Sequence, residues 1–373
     1  MDAIRLCNRF FEEEKLGQFK EKLKVKHLYG LRREELADWL KTELNEPSYR
    51  ATQLFEWMYQ KRVTKFKDMT NLPKHLRTKL EESAVLDTSA ERLRQTSKDG
   101  TVKFLLGWSD AVTAETVLMR HDYGNSVCVS SQIGCKMGCN FCASTLGGMI
   151  RQVSAGEMVE QLLHSQKLLD REGGRVSSIV MMGSGEPMDN LDEVFRFMDI
   201  VHDEKGLNIG FRHITISTVG IVPGIKRLAD DGRPVTLAVS LHAVTDEKRS
   251  SMMPVNKAYP IAKLLDACHY YVEHTGKRIS FEYALIGGEN DSLQDARNLA
   301  NLLKEIPNHI NLIPVNYVPE RDYTRTPEEQ VEAFVKELQR LGMNATVRRE
   351  KGHDISAACG QLRAEHEKQG VEN

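Results

Sequence analysis

From Leu31 onward the apolar positions first recur at helical spacing. Leu36, Leu40 and Leu44 share one face, with Trp39 on its flank, which predicts a helix. After Asn45-Glu46-Pro47 the run from Tyr49 to Tyr59 predicts a second helix offering Leu54, Phe55, Trp57 and Met58 to a core. A third follows Asn71-Leu72-Pro73 and buries Leu76 and Leu80. Near Ala90 the periodicity changes. Thr101–Leu106 and Thr113–Met119 predict strands, the first introduced by the turn signal Asp99-Gly100. Val127–Ser131 is the next strand, and from there strands alternate with helices. The later strands are Val176–Met182, His213–Thr218, Val235–Leu241, Arg278–Leu285 and Asn308–Val315. One intervening helix, Ser154–Leu169, opens on the capping box Ser154-Ala155-Gly156-Glu157.

Such alternation predicts an α/β fold with a parallel sheet and right-handed crossovers. Six units after Cys128 suggest an open or partial (β/α)6 barrel of TIM type, not eight closed units. The expected organisation is an N-terminal extension over 1–27, a small helical domain over 28–95 and a β-hairpin lead-in over 96–127. The barrel follows over 128–365, then a tail over 366–373.

Composition narrows the class without naming a task. The 373 residues, 40% hydrophobic and 28% charged, describe an ordinary globular protein large enough for a barrel and a smaller domain. No apolar run approaches the roughly 18 residues of a membrane span. The acidic triplet Glu12-Glu13-Glu14 argues against a transit peptide, so a cytoplasmic protein is expected. Net charge is −2, but residues 1–100 hold 21 Lys and Arg against 17 Asp and Glu, which is +4 and leaves −6 for the remainder. Arg50, Lys61, Arg62, Lys65, Lys67, Lys74, Arg77 and Lys79 recur around the predicted helices. They suit contacts to RNA phosphates, and equally a solvated helical surface.

The cysteines are clustered. Four of the seven lie between Cys128 and Cys142, and Cys135, Cys139 and Cys142 form a C-x3-C-x2-C set with Phe141 before the last. Three such thiolates can hold three irons of a [4Fe-4S] cluster and leave the fourth iron open for a ligand. A structural zinc site or a redox-active thiol pair is the alternative, although no second Cys/His pair lies nearby. Clustering of this kind fits metal and redox chemistry in a reducing compartment better than a disulfide scaffold. Polar groups also gather where predicted strands end. Met181-Met182-Gly183-Ser184-Gly185-Glu186-Pro187, Ser217-Thr218-Val219-Gly220, Ser240-Leu241-His242-Ala243 and Asn316 occupy four such ends. In barrels of this kind reactive groups sit there. Singly, Ser217 could cap a helix and His242 could be a satisfied core histidine. Cys268 fits a buried helix position, and Cys7 matches no motif.

C-x3-C-x2-C with its aromatic resembles the radical S-adenosylmethionine (SAM) superfamily. The longer string Cys-Val-Ser-Ser-Gln-Ile-Gly-Cys-Lys-Met-Gly-Cys-Asn-Phe-Cys-Ala from Cys128 resembles the radical SAM methyl synthases that methylate adenosine in ribosomal RNA, a family of dual rRNA and tRNA specificity. The resemblance runs from about Leu28 to Leu362. It implies a [4Fe-4S] cluster on Cys135, Cys139 and Cys142, and SAM held by Gly185, Glu186, Ser217, Ser240, Leu241, His242 and Asn316. It implies that Cys359, in a C-terminal carrier loop, takes a methyl group and that Cys128 resolves the resulting RNA–protein adduct through a transient disulfide. Glu115 is the implied proton acceptor, against the plain reading of a solvent-facing strand residue.

The substrate so implied is carbon 2 of an adenosine in 23S rRNA near the peptidyl transferase centre, and tRNA besides. The related antibiotic-resistance branch methylates carbon 8; it often carries a further cysteine where this chain has Ile133. A third reading is a non-catalytic RNA-binding protein with a structural zinc. The expected partners are an electron donor such as flavodoxin or ferredoxin and a thiol reductant, and a monomer outside the membrane is expected.

Overall fold

The computed structural model describes residues 25–355 apart from Tyr317; Cys7 and Cys359 lie outside the described residues. The chain forms two compact units. One comprises the described residues up to Thr88 together with Asp199–Asn208, and the other comprises Ser89–Met198 and the described chain from Ile209.

The first unit holds three helices, α1 (Arg33–Leu44), α2 (Tyr49–Tyr59) and α3 (Lys74–Ser83). Their faces carry the apolar residues the periodicity selects: Leu36, Leu40, Leu44, Leu54, Phe55, Met58, Leu76 and Leu80 are all buried. Trp57 departs from that expectation. It is half-buried, donates its indole N–H to Asn71 and carries the Lys61 ammonium 3.5 Å above its ring. A short parallel pairing of β1 (Lys26–His27) with β2 (Ala84–Val85) joins the two ends of the unit. Asp199–Asn208 is tied in by Arg32 Nε to Asp199 (2.7 Å) and Arg33 Nε to Asp203 (2.9 Å). Of the basic residues proposed to face RNA, Arg62, Arg77 and Lys79 donate to backbone carbonyls of their own unit. Lys65, Lys67 and Lys74 are exposed.

The second unit is built on one ten-stranded sheet. Its strands are β3 (Ala90–Thr96), β4 (Val102–Gly107), β5 (Thr113–His121), β6 (Gly124–Cys128), β9 (Val176–Met181), β10 (Ile214–Thr218), β11 (Thr236–Ser240), β12 (Ile279–Leu285), β13 (Asn308–Pro314) and β14 (Ala345–Val347). The spatial order is β14-β13-β12-β11-β10-β9-β6-β5-β4-β3. From β6 to β14 every pairing is parallel, whereas β3 to β6 form an antiparallel meander. The interleaved helices are α4 (Ala155–Asp170), α5 (Leu191–His202), α6 (Val222–Asp231), α7 (Asp246–Met252), α8 (Ile261–Thr275), α9 (Leu293–Leu303) and α10 (Glu328–Arg340). Ser154 caps α4 through the expected box with Glu157.

Burial alternates along these strands. Ile214, Ile216 and Thr218 are buried while Thr215 and Ser217 are half-buried, and β13 repeats the pattern with Ile310 and Leu312 against His309 and Asn311. A strand sends successive side chains to opposite faces. One face therefore packs on helices, and the other is polar and partly open. In this unit four strands were not anticipated from periodicity, as β1 and β2 were not in the first: β3, β14, and the hairpin β7 (Gln132–Gly134) with β8 (Met149–Gln152) outside the main sheet. The strand expected over Val127–Ser131 lies earlier, at Gly124–Cys128.

The sheet is curled. Laid flat at about 4.8 Å per strand, its edges would stand roughly 40 Å apart. Yet Gly352, five residues after β14, donates its N–H to Asp99 Oδ2 (3.0 Å) in the turn between β3 and β4. Five extended residues reach at most about 17 Å. Asp354 completes the clasp by accepting from Ser97 Oγ and from the Lys98 N–H (3.1 Å). The open (β/α) barrel is thus crossed on its open side by the segment following β14.

Candidate active site

The three-cysteine loop is the connection of the β7–β8 hairpin. The Cys135 N–H donates to Gly148 O (3.0 Å) at its base. Thr145 Oγ1 donates to the carbonyls of Cys139 (3.1 Å) and Cys142 (2.9 Å), and Arg321 reaches Cys142 O and Thr145. The Asn140 N–H donates to Met252 O (2.9 Å) and its side chain to Ser251 O, fastening the loop to the end of α7. Cys139 is buried in a cluster with Ala243, Met252, Met253, Ile286 and Val315, with Phe141 and Val219 packed against it. Four of these positions, Val219, Ala243, Ile286 and Val315, follow the C-terminal ends of β10, β11, β12 and β13. The loop therefore sits at the mouth where parallel-barrel chemistry is expected.

The Ser-Ser-Gln of the cysteine string turns out to be scaffolding. Ser130 Oγ donates to Glu115 O (2.7 Å) and accepts from the Ser184 N–H (2.9 Å). Gln132 Oε1 accepts from the Glu186 N–H (2.9 Å), and its amide donates to Gln152 and Asp189. Gln161 of α4, fully buried, holds both backbone groups of Ser130 (2.8 and 3.0 Å) and accepts from Thr116. Gly183 and Gly185 are what let the two loops approach. A Cβ on Gly183 would lie 2.5 Å from Ser130 Oγ; on Gly185, where φ is +102°, it would lie 2.4 Å from Gln132 Cβ.

Glu186 is buried and both carboxylate oxygens are engaged: Oε1 accepts from the Met188 N–H (3.0 Å) and Oε2 from the Val219 N–H (2.8 Å). It ties the loop after β9 to the end of β10. Burial pushes it up to about 7, against the lowering by these N–H groups. Ser217 and Ser240 are half-buried on the open face of the sheet, and Asn316 is exposed after β13. Leu241 is fully buried. His242 has φ +58° and accepts the Ala284 N–H at Nδ1 (2.9 Å), so the neutral ring carries its proton on Nε2. Burial lowers it to about 3. Phe141 meets its ring edge-on at 4.9 Å.

Glu115 is buried, which removes the solvent-facing reading. Thr116 turns to Gln161 of the helix layer, so Glu115 and Val117 point to the opposite, open face. Val117 pairs directly with Cys128, which places Cys128 on the same face one strand over. Cys268 on α8 is fully buried, as expected, and burial pushes its thiol up to about 12.

Gln161, Asn190, Asn290 and Arg249 were missed by motif reading. Asn290 holds the His242 and Ala284 carbonyls and the Ile286 N–H; Asn190 holds the carbonyls of Ser131 and Val153. Such residues leave no signature in spacing, because each serves backbone groups far away in the chain.

A family model described as the ribosomal RNA large subunit methyltransferase N-terminal domain matches residues 26–86, and the radical SAM superfamily model matches 129–303. A probable dual-specificity RNA methyltransferase RlmN of Geobacillus kaustophilus is 56% identical over 342 residues, covering 92% of this chain and 93% of that protein. One from Staphylococcus saprophyticus is 54% identical over 96% of this chain and 98% of its own length. The chain belongs to the RlmN family of radical SAM RNA methyltransferases. A crystal structure of a radical SAM methyltransferase from Sphaerobacter thermophilus agrees in fold, with TM-score 0.87 at 44% identity over 90% of this chain and 98% of that one.

Membership of the RlmN family implies a [4Fe-4S] cluster and SAM, and the donor set fits. Burial raises the Cys135 thiol to about 11 and the Cys139 thiol higher still, so thiolates here need a cationic partner such as iron. Among the described residues no three His, Cys, Asp or Glu side chains converge on a single ion. A cubane asks for a different arrangement, one thiolate per iron. Ser144 Oγ, buried two residues after Cys142, lacks a hydrogen-bond partner and is a donor that a cluster sulfide would satisfy.

Proposed function

We propose that this enzyme methylates carbon 2 of an adenosine of 23S rRNA in the peptidyl transferase centre, and tRNA as well, through an S-methyl group on Cys359. The observation that carries the reading is the shared face of Glu115 and Cys128 on neighbouring strands, in a sheet whose strand ends lie beneath the three-cysteine loop. Carbon 2 of adenine lies between two ring nitrogens and is electron-poor, so direct attack on a SAM methyl group is closed to it. When bound on Cys135, Cys139 and Cys142, the cluster with SAM supplies the radical that removes hydrogen from a methyl group.

The chain's own residues do the rest. Gly185, Glu186, Ser217, Ser240, Leu241, His242 and Asn316 hold SAM. The Cys359 thiolate takes the methyl group of one SAM by ordinary displacement, releasing S-adenosylhomocysteine, and later presents that carbon to the base. Glu115 takes the ring proton from the tethered base; its burial is the kind of setting in which a carboxylate gains basicity. The Cys128 thiolate then attacks the Cys359 sulfur: the S–S bond forms, the bond from that sulfur to the transferred carbon breaks, and the carbon takes up a proton to become the methyl group of the freed RNA. Release leaves both thiols oxidised, which calls for a thiol reductant; the cluster calls for an electron donor of the flavodoxin or ferredoxin kind. A cytoplasmic monomer suits that chemistry. Exposed Lys65, Lys67 and Lys74 on the helical unit are candidates for RNA phosphate contacts.

The test is an anaerobic assay on short rRNA fragments with mass analysis of the nucleosides. 2-Methyladenosine is expected; 8-methyladenosine would move the enzyme to the resistance-type reaction. Cys359→Ala should abolish the product with the cluster intact, and Cys128→Ala should accumulate an RNA–protein crosslink. A colourless protein with stoichiometric zinc would overturn the reading.

A further inference from the structure

Arg249, on α7, is the bulkiest fully buried side chain among the described residues. Its guanidinium donates to Val219 O (2.6 Å), Ser240 O (3.1 Å), Leu241 O (3.1 Å) and Asn256 Oδ1 (2.9 Å). All four acceptors are neutral. Asp246, on the same helix, makes no ion pair with it, and its Oδ1 already accepts from Asn256 and from the Ile261 N–H. A whole positive charge thus stands in the interior without a carboxylate partner, an arrangement that costs stability unless a counter-charge arrives.

The surroundings say where that counter-charge belongs. Val219, whose carbonyl takes the guanidinium, packs against the buried cluster that contains Cys139. Met252 and Met253, one helical turn further along, pack on Cys139, and Asn140 is bonded to Met252 O. We infer that Arg249 is the resident counter-ion of the anionic iron–sulfur cluster, fixing its potential by charge while its fork ties the ends of β10 and β11 to α7. This rests on the cluster reading above. Three thiolates make the assembled group net negative, and each added electron makes it more so. A fixed cation nearby therefore favours the reduced form. Arg249 is a positioning and electrostatic residue, and it need not touch the substrate.

The competing account is that Arg249 only braces the strand ends. Two variants separate them: Arg249→Lys keeps the charge and loses the fork, whereas Arg249→Met keeps bulk and loses the charge. The full chain is reconstituted anaerobically, its iron and sulfide are counted, and the cluster is titrated against potential with detection by electron paramagnetic resonance. In Arg249→Met the ratio of reduced to oxidised cluster at a fixed poise should fall about tenfold, a negative shift of 59 mV for a one-electron couple. Arg249→Lys should stay close to the unsubstituted protein. Cluster assembly in the Lys variant but not in the Met variant would also support the inference. Equal potentials in all three proteins, or equal loss of cluster from both variants, would overturn it. An unsubstituted chain that assembles no iron–sulfur cluster would instead sink the cluster reading itself.

Discussion

Glu186 illustrates how much one carboxylate can decide at this mouth. Its two oxygens accept N–H groups 2 and 33 residues along the chain, so it sets the spacing between the loop after β9 and the end of β10. Burial lifts it from its ordinary 4.5 to about 7. A group raised on folding contributes stability that is fully present below its unfolded value and lost as pH rises through the folded one. The window here is about pH 4.5 to 7, and the loss is on the order of 3 kcal/mol. Urea denaturation of the cluster-free protein should therefore show a component that weakens across this window and is missing in Glu186→Gln. The Gln variant should also be less stable at pH 5 by about 1–3 kcal/mol, since its amide cannot accept from the second N–H. An identical pH slope in both proteins would refute the assignment. The motif made Glu186 visible as an acceptor, but a one-dimensional reading could not foresee that backbone donors would claim both oxygens.

At the scale of elements, periodicity found the helices of the first unit and the central parallel strands β9 to β13 because each buries a full face. The face of α1 and the alternation in β10 and β13 are visible as runs of Leu or Ile at fixed spacing. It missed β3, β7, β8 and β14 because they lie at sheet edges or in a small hairpin. The pattern of β3 is largely exposed and that of β14 is three residues long, so neither presents an apolar face to detect. The joints between elements were equally illegible. Gln161 lies in a helix whose buried residues read as ordinary core, yet it holds both backbone groups of Ser130 where β6 gives way to the cysteine hairpin. Gln161→Leu keeps the bulk and leaves the Ser130 N–H and C=O and the Thr116 hydroxyl without this partner. The expected cost is at least about 3 kcal/mol in denaturant unfolding, because each of the three stranded buried groups loses roughly 1–3 kcal/mol. Fewer than the full complement of irons per chain should follow reconstitution, since the loop bearing Cys135 starts from this joint. Unchanged stability and full iron content would show that the contact is incidental.

For the barrel unit as a whole, the clasp between the β3–β4 turn and Gly352–Asp354 joins the two ends of an open sheet. It also fixes the chain five residues before Cys359, the proposed methyl carrier. Hydrogen bonds from Thr101 and Gly352 hold the Asp99 carboxyl far below its ordinary range despite opposing desolvation, and those from Ser97 and Lys98 lower Asp354. Both are depressed on folding, so the clasp is at full strength above their unfolded values, near pH 4, and is lost as pH falls through the folded ones. Since both carboxylates are largely solvated, its share of global stability is small. Its effect on placement is another matter, for an error of about 1 Å in a reacting group can cost a hundredfold in rate. Asp354→Ala should leave the melting temperature within about 2 °C and the iron content unchanged. Methylation of Cys359, followed by mass analysis of the intact chain, should slow by ten- to a hundredfold. Asp99→Ala should reproduce the defect from the other side of the clasp, and the double variant should be no worse than either single one, as separate bonds that hold one clasp require. Independent, multiplying losses would mean that the two aspartates act separately and that the carrier segment is placed by other contacts.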